Sequence, residues 1–262
     1  MDDPAKADGP AEPGPVASAI SADAIRRRGA EIAARRRAQP VSGRGIVIVA
    51  GGARIFVNAY VLLAVLRKTI DCRLPVELWH FGPGEISGSM AAALDGLDVT
   101  LVDAEAMLAG SDYRVEDGWQ LKPFAALWSR FAEVLLLDAD QVAVKDPTAA
   151  FEWPSWRGTG AVFWPDIVDL SAANPVWAAL GLPPETVTSF ESGQMLLDKG
   201  RHLEALATTV ALNERAAELY RLIYGDKDTF LLGWRLTGSV YTLMPHRPFV
   251  DERALIQRDV DG

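Results

Sequence analysis

From Gly45 onward the chain alternates short apolar runs with stretches of helical period. "GIVIVAGG" (residues 45–52) reads as a buried strand ending in glycines, and Ile55–Lys68 follows as a helix. "LPVELWHFG" supplies a second strand, "ISGSMAAALDGL" a second helix and "DVTLVDA" a third strand. This β-α-β-α-β order predicts an α/β fold with a mainly parallel central sheet flanked by helices. A helix within Lys122–Ala132 then leads into the strand of "EVLLLDADQVAVKD" (133–146). Beyond it "GAVFWP" and "SGQMLLDK" read as strands, His202–Tyr224 as one long helix and "GSVYTLMP" as a late strand.

The first forty residues have a different pattern. Residues 1–21 are rich in Ala, Pro, Gly and Asp, so they bury too little apolar surface to offset ordering entropy, and a disordered tail is expected. Next, Ser21 offers an N-cap, Ile25 and Ile32 an apolar face, and two arginine triplets a charged one, which predicts a basic helix over 22–40. The ordinary reading of such a charge run is a solvated helix lying on an acidic domain. Docking to anionic lipid, a peripheral membrane contact, is the sharper one. At the other end, "ALIQRDVDG" stops without a polar tail or capped helix, as a chain truncated at its C-terminus would.

Composition narrows the classes. With 262 residues, 49% of them apolar, the chain can bury a sizeable core. The single cysteine, Cys72, excludes an internal disulfide framework and a thiolate zinc cluster. A formal charge of −9 disfavours nonspecific binding to nucleic acid, and it means that an anionic ligand needs a local cation or a metal. No run of about 18 uncharged apolar residues predicts a transmembrane helix, and no basic-then-apolar leader is evident. A cytoplasmic location, or a peripheral one at the cytoplasmic membrane face, is therefore expected.

The chemistry concentrates at "LLLDADQV", where an apolar strand ends in Asp138 and Asp140. Side chains at i and i+2 of a strand share a face, so the two carboxylates converge if extended geometry persists through Ala139. Open α/β sheets place ligands at the C-terminal ends of their strands. A hard divalent cation, Mg²⁺ or Mn²⁺, is the usual neutraliser of such a pair. The structural alternative is a polar turn with Lys145 balancing charge. Two enzyme classes use the pattern. Phosphohydrolases of the haloacid dehalogenase class would use Asp138 as nucleophile, whereas nucleotide-sugar glycosyltransferases of the GT-A type use the pair to hold a metal against a diphosphate. In the phosphatases this strand normally opens the domain. Here three strands precede it, which fits the transferase arrangement better.

Four blocks in order, Gly118–Pro147, "GAVFWPD" (160–166), "ESGQMLLDK" (191–199) and "YGDKDTF" (224–230), resemble the fungal-type alpha-mannosyltransferase family, a retaining group with a GT-A fold. The similarity runs from near Gly43 to the end. It implies a GT-A (Rossmann-like) catalytic domain over 43–262. It also implies a metal-dependent hexosyltransferase moving mannose from GDP-mannose to a carbohydrate or glycolipid hydroxyl. A transferase-like domain that only binds is the non-enzymatic alternative.

The resemblance places Asp138 and Asp140 on the family's metal-binding Asp-x-Asp, with Mn²⁺ (or Mg²⁺) as cofactor. Asp140 is then the direct ligand, and Asp138 touches metal or ribose. Lys122 would add a cation near phosphate. Glu191 and Gln194 are the expected catalytic groups beside the anomeric carbon, with Ser192 and Gly193 allowing a tight turn there. Asp228 would accept sugar hydroxyls and Lys227 would pair with phosphate. Asp226, Gly193, Gly51 and Gly52 complete the expected nucleotide-sugar contacts. His246 is the expected late metal ligand, unless the family's histidine lies beyond Gly262. Each of these residues also has an ordinary reading: a helix-start lysine, a hydrogen-bonded turn at "ESGQ", helix capping at "GDKD". His80 is expected to be structural and His202 exposed at a helix start. Trp164 is the tryptophan best placed to stack on a sugar, and most of the eight are expected in the core.

Overall fold

The computed structural model describes residues 20–113, 115, 118–252 and 254–259. Apart from Ile20 and Ser21, the expected N-terminal tail lies outside them. In chain order the first half comprises α1 (Ala22–Arg37), β1 (Arg44–Val49), α2 (Gly52–Ala64), β2 (Val76–His80), α3 (Gly88–Ala93), β3 (Val99–Asp103), α4 (Ala104–Leu108), α5 (Gly118–Trp128) and β4 (Glu133–Asp138). The second half holds α6 (Pro154–Thr159), β5 (Ala161–Leu170), α7 (Val176–Ala179), β6 (Val187–Asp198), α8 (Lys199–Asn213), α9 (Ala216–Leu219) and α10 (Gly225–Thr237). Three short strands follow, β7 (Thr242–Leu243), β8 (Phe249–Asp251) and β9 (Ala254–Ile256).

Seven strands form one sheet in the order β3-β2-β1-β4-β6-β5-β7. The β1–β2, β2–β3, β1–β4 and β5–β7 pairs are parallel, and β6 runs antiparallel to both β4 and β5. The expected mainly parallel sheet is therefore present, with one reversed strand. Strand β4 is central, and its run of apolar residues reflects burial on both faces. Val134 and Leu136 join the core formed with α5, α8 and α10, while Leu135 and Leu137 join the core under α2.

α1 belongs to the first of these cores. Ser21 caps it by accepting from Ala24 N, and Ile25, Gly29, Ile32, Ala33 and Arg36 form its buried face. Gly29 lets the helix approach α8 closely, because a Cβ there would meet the Thr208 backbone at 3.0 Å. The expected basic helix is thus present, but one guanidinium of each triplet is turned inward. Arg28 bonds both Glu214 oxygens at 2.7 Å, and Arg36 donates to Leu127 O at 2.7 Å and Ser129 O at 2.8 Å. Lys199 donates to the same two carbonyls at 3.2 and 2.6 Å. Two buried donors therefore cap the carbonyl end of α5: the Arg36 guanidinium, which the helix dipole favours, and the Lys199 amine, whose pKa burial and the Arg36 charge push down to about 6.

Several local expectations need correction. The long helix over His202–Tyr224 starts earlier, at Lys199, and breaks after Asn213. There the Asn213 amide donates back to Thr209 O at 2.7 Å and across to Thr229 Oγ1 at 2.8 Å, and such side-chain bonds compete with helix continuation. His202 is buried, not exposed: its Nε2 lies 2.7 Å from Thr159 O and its ring packs near Trp234. The late strand shrinks to the two residues of β7. Among the described residues no helix is long and apolar enough to cross a membrane.

Replacing Gly29 with valine should lower stability by about 1–3 kcal/mol, because the side chain has no room against α8. Urea denaturation checks this, and an unchanged midpoint would contradict the close helix contact.

Candidate active site

The site is built where β4 ends. Asp138 is the last strand residue, and Gln141 N bonds Asp138 O at 3.2 Å to close a turn through Ala139 and Asp140. Extended geometry thus stops at Asp138 and does not persist through Ala139. Asp138 and Asp140 nevertheless both line one cleft of about 1100 Å³. Asp140 is exposed, and among the described residues no partner holds its carboxylate.

Asp138 is held from below by Lys122. Its Nζ lies 2.8 Å from Asp138 Oδ1 and 3.0 Å from Oδ2, 3.0 Å from Ser192 Oγ and 3.4 Å from Asp226 Oδ2. The lysine is buried one turn inside α5, so its reading as a surface residue fails. Desolvation alone would lower its pKa. The Asp226 and Asp138 charges outweigh that and raise it well above the usual lysine range. Asp138 responds oppositely. Burial pushes it up to about 6 although Lys122 opposes the shift, and Asp226 and Asp140 add repulsion.

"ESGQ" does not form a tight turn between elements. It is a bulge inside β6: Phe163 of β5 pairs with Met195 and the next residue, Trp164, with Glu191. Three residues of β6 are thereby looped out opposite the end of β4, where Gln194 pairs with Leu137. The bulge delivers Ser192 to Lys122 and points Glu191 and Gln194 into the cleft. Gly193 N donates to Glu191 Oε1 at 3.0 Å, and a Cβ at Gly193 would strike the Gln141 amide. Burial, with the nearby Asp166 charge, raises the Glu191 pKa.

"GDKD" forms the first turn of α10. Asp226 and Asp228 are both buried, at 4% and 3% exposure. Asp228 Oδ2 accepts from Tyr224 N at 3.0 Å. Among the described residues Asp226 Oδ2 is held by the Lys122 ammonium alone, at 3.4 Å, and Asp228 Oδ1 has no hydrogen-bond partner. Desolvation raises the Asp228 pKa. Lys227 is salt-bridged to buried Asp166 at the bend of β5 and lies over the Tyr224 ring. Capping does not account for the open Asp228 oxygen.

Lys122, Gly193, Asp226, Lys227 and Asp228 stand behind Asp138 and Glu191 and do not themselves line the cleft, and the remaining expected residues lie apart. Gly51 and Gly52 join β1 to α2 but do not line the cleft, and the Glu85 carboxylate covers Gly51. His246 follows β7 and is also outside the cleft lining, so it is not brought together with Asp138 and Asp140. Trp164 does line the cleft, and its Nε1 donates to Arg258 O at 2.8 Å. Ser192 was read only as a turn former, and Asp166 and Gln141 were missed. Asp166, at the end of the apolar run "AVFWP", carried the same strand-end signal as Asp138.

The cleft at the C-terminal edge of β4, lined by a strand-end carboxylate pair and a bulged neighbouring strand, is set in an α/β fold of the GT-A kind. The fold is shared with the WbbM bifunctional glycosyltransferase, at a TM-score of 0.53 and 16% identity over 78% of this chain and 40% of that one. The chain belongs to the family described as "Mannosyltransferase putative", whose model matches residues 43–179 and 184–251. It is 26% identical to alpha-1,2-mannosyltransferase MNN21 of Candida albicans, covering 75% of this chain and 38% of that protein. It is 30% identical to alpha-1,2-mannosyltransferase MNN5 of Saccharomyces cerevisiae strain YJM789, covering 72% and 42%. The chain thus spans about two fifths of the length of these relatives.

Because the folded-state pKa of Asp138 is raised, its contribution to stability is present below the ordinary aspartate range and lost as pH rises through about 6. Without divalent cation, Asp138→Asn should therefore gain about 1–2 kcal/mol on the parent between pH 4 and pH 8. Urea midpoints at the two pH values check this, and a pH-independent difference would contradict the burial of that charge.

Proposed function

We propose that this cleft transfers a hexose, mannose from GDP-mannose, to a carbohydrate or glycolipid hydroxyl with retention at the anomeric carbon and with the help of a divalent cation. The observation that carries this reading is the charge of the lining. Asp138, Asp140, Asp146, Glu191 and Asp259 face it against only Lys145 and Arg258, a net of three negative charges. A diphosphate would be repelled from such a surface unless a metal entered with it.

The residues fit a hard cation of the Mg²⁺ or Mn²⁺ kind. Such ions use one or two carboxylates and fill their remaining positions with phosphate and water. Among the described residues no three His, Cys, Asp or Glu side chains converge, which suits a shared site of this kind better than a closed protein cage. Asp140 would be the direct ligand. Asp138, fixed by Lys122, would orient toward metal or ribose. When bound, the cation supplies Lewis-acid stabilisation of the departing diphosphate.

The chain's own groups do the rest. Glu191, fixed by the Gly193 amide, and Gln194 beside it face the cleft where a retaining transferase needs a nucleophile or a stabiliser of positive charge at the anomeric carbon. Asp228 offers a buried oxygen, without a hydrogen-bond partner among the described residues, that a sugar hydroxyl can satisfy, and Asp226 holds Lys122 in place. The phosphohydrolase alternative, with Asp138 as nucleophile, has less support, because three strands precede β4 and the family model that matches is a mannosyltransferase one. The family membership supports mannose as the sugar transferred.

Titration calorimetry should show GDP binding that requires Mn²⁺ or Mg²⁺ and weakens at least tenfold in Asp140→Ala. Radiolabelled GDP-mannose should then pass its sugar to a mannoside acceptor. Absence of metal-dependent binding of either GDP or UDP would contradict the transferase reading, and binding without transfer would support a domain that only binds.

A further inference from the structure

Two exposed aromatic rings stand at the edge of the buried charges, on the α5 and α10 side. Trp119, in the first turn of α5, is 48% exposed, and Tyr224, just before α10, is 72% exposed. Their centroids are 6.5 Å apart at an interplanar angle of 31°. A single exposed aromatic residue needs no explanation, but a contacting pair beside buried polar groups marks a binding surface.

The pair is held in place from both sides. Gly225 has φ +66°, and a Cβ there would meet the Trp119 ring at 3.0 Å, so the glycine turn lets the chain lie against the indole. Tyr224 is fixed through its backbone N–H by Asp228 Oδ2, and Lys227 Nζ sits 4.6 Å from the centre of its ring. Asp228 Oδ1 is buried next to this arrangement with no hydrogen-bond partner among the described residues. Trp119 also lies three residues before Lys122 on the same helix, so platform and charge cluster share one rigid element.

A pyranose has one face of C–H groups and a rim of hydroxyls. It matches a site that offers an aromatic surface and a carboxylate oxygen without a donor. We propose that Trp119 and Tyr224 form the platform for the acceptor sugar, with Asp228 Oδ1 accepting one of its hydroxyls. This assignment rests on the transferase reading above. Neither ring lines the cleft of Asp138 and Asp140, so the platform is a surface separate from the one assigned to the diphosphate. The two surfaces are linked through Lys122, whose ammonium bonds Asp138 of the cleft and whose helix carries Trp119.

The test is a titration of methyl α-D-mannopyranoside by saturation-transfer NMR in the presence of Mg²⁺ and GDP, with GDP affinity measured separately. Wild-type protein should bind the glycoside. Trp119→Ala and Tyr224→Ala should each weaken it at least fivefold, and Trp119→Phe should restore most of the loss. GDP affinity should stay within twofold in all three variants. Equal glycoside affinity in wild type and both alanine variants, or no glycoside binding to wild type, would overturn the platform. Loss of GDP binding in wild type, with a glycoside signal that still depends on Trp119, would instead overturn the donor reading and leave the platform standing.

Discussion

The site depends on one buried ammonium. Lys122 reaches Asp138 at the end of β4, Ser192 in the bulge of β6 and Asp226 at the start of α10, so four stretches distant in sequence meet at one nitrogen. Burying a charge is costly, and only opposing charges with good geometry offset it. Lys122 has two carboxylates within 3.4 Å and a hydroxyl at 3.0 Å, which satisfies its donors while leaving carboxylate lone pairs on the cleft side. Removing it would strand two carboxylates, and the edge of the sheet would lose the contact that sets the bulge against the strand.

The helical layer beneath gives that lysine its position. α5 carries it, and the carbonyl end of α5 is held by Arg36 from α1 and Lys199 from α8. Small residues let these helices approach: Gly29 of α1 lies on Thr208 of α8, and Gly233 of α10 lies on Thr209. α1 precedes the stretch that matches the family model, yet it shares the same core. Its arginines therefore divide their work. Arg28 and Arg36 are turned inward, while the exposed Arg26, Arg35 and Arg37 bond Leu236 O, Asp112 and Glu204 at the surface and Arg27 is exposed.

Much of this was legible in the sequence for identifiable reasons. Apolar runs separated by helical periods reveal a parallel α/β sheet because both faces of such strands are buried. The Asp138–Asp140 pair stood out because carboxylates directly after a buried strand must be compensated. Other features depend on contacts that periodicity does not encode. The break after Asn213 arises from a side chain bonding Thr209 and Thr229, and the burial of His202 from an acceptor 43 residues away at Thr159. The bulge at "ESGQ" read as a turn because Ser and Gly suit both; only pairing with β4 and β5 on either side distinguishes them. Trp119 and Tyr224 were invisible as a pair, since 105 residues separate them in the chain.

The central claim is that the cleft holds a divalent cation and a nucleoside diphosphate together at the end of β4. Anomalous diffraction from crystals soaked with Mn²⁺ and GDP tests it most directly. The account predicts a manganese peak at the Asp140 carboxylate, near Asp138, with the diphosphate on its open side. A manganese peak elsewhere on the protein, or GDP bound in the cleft with no metal beside Asp140, would contradict it.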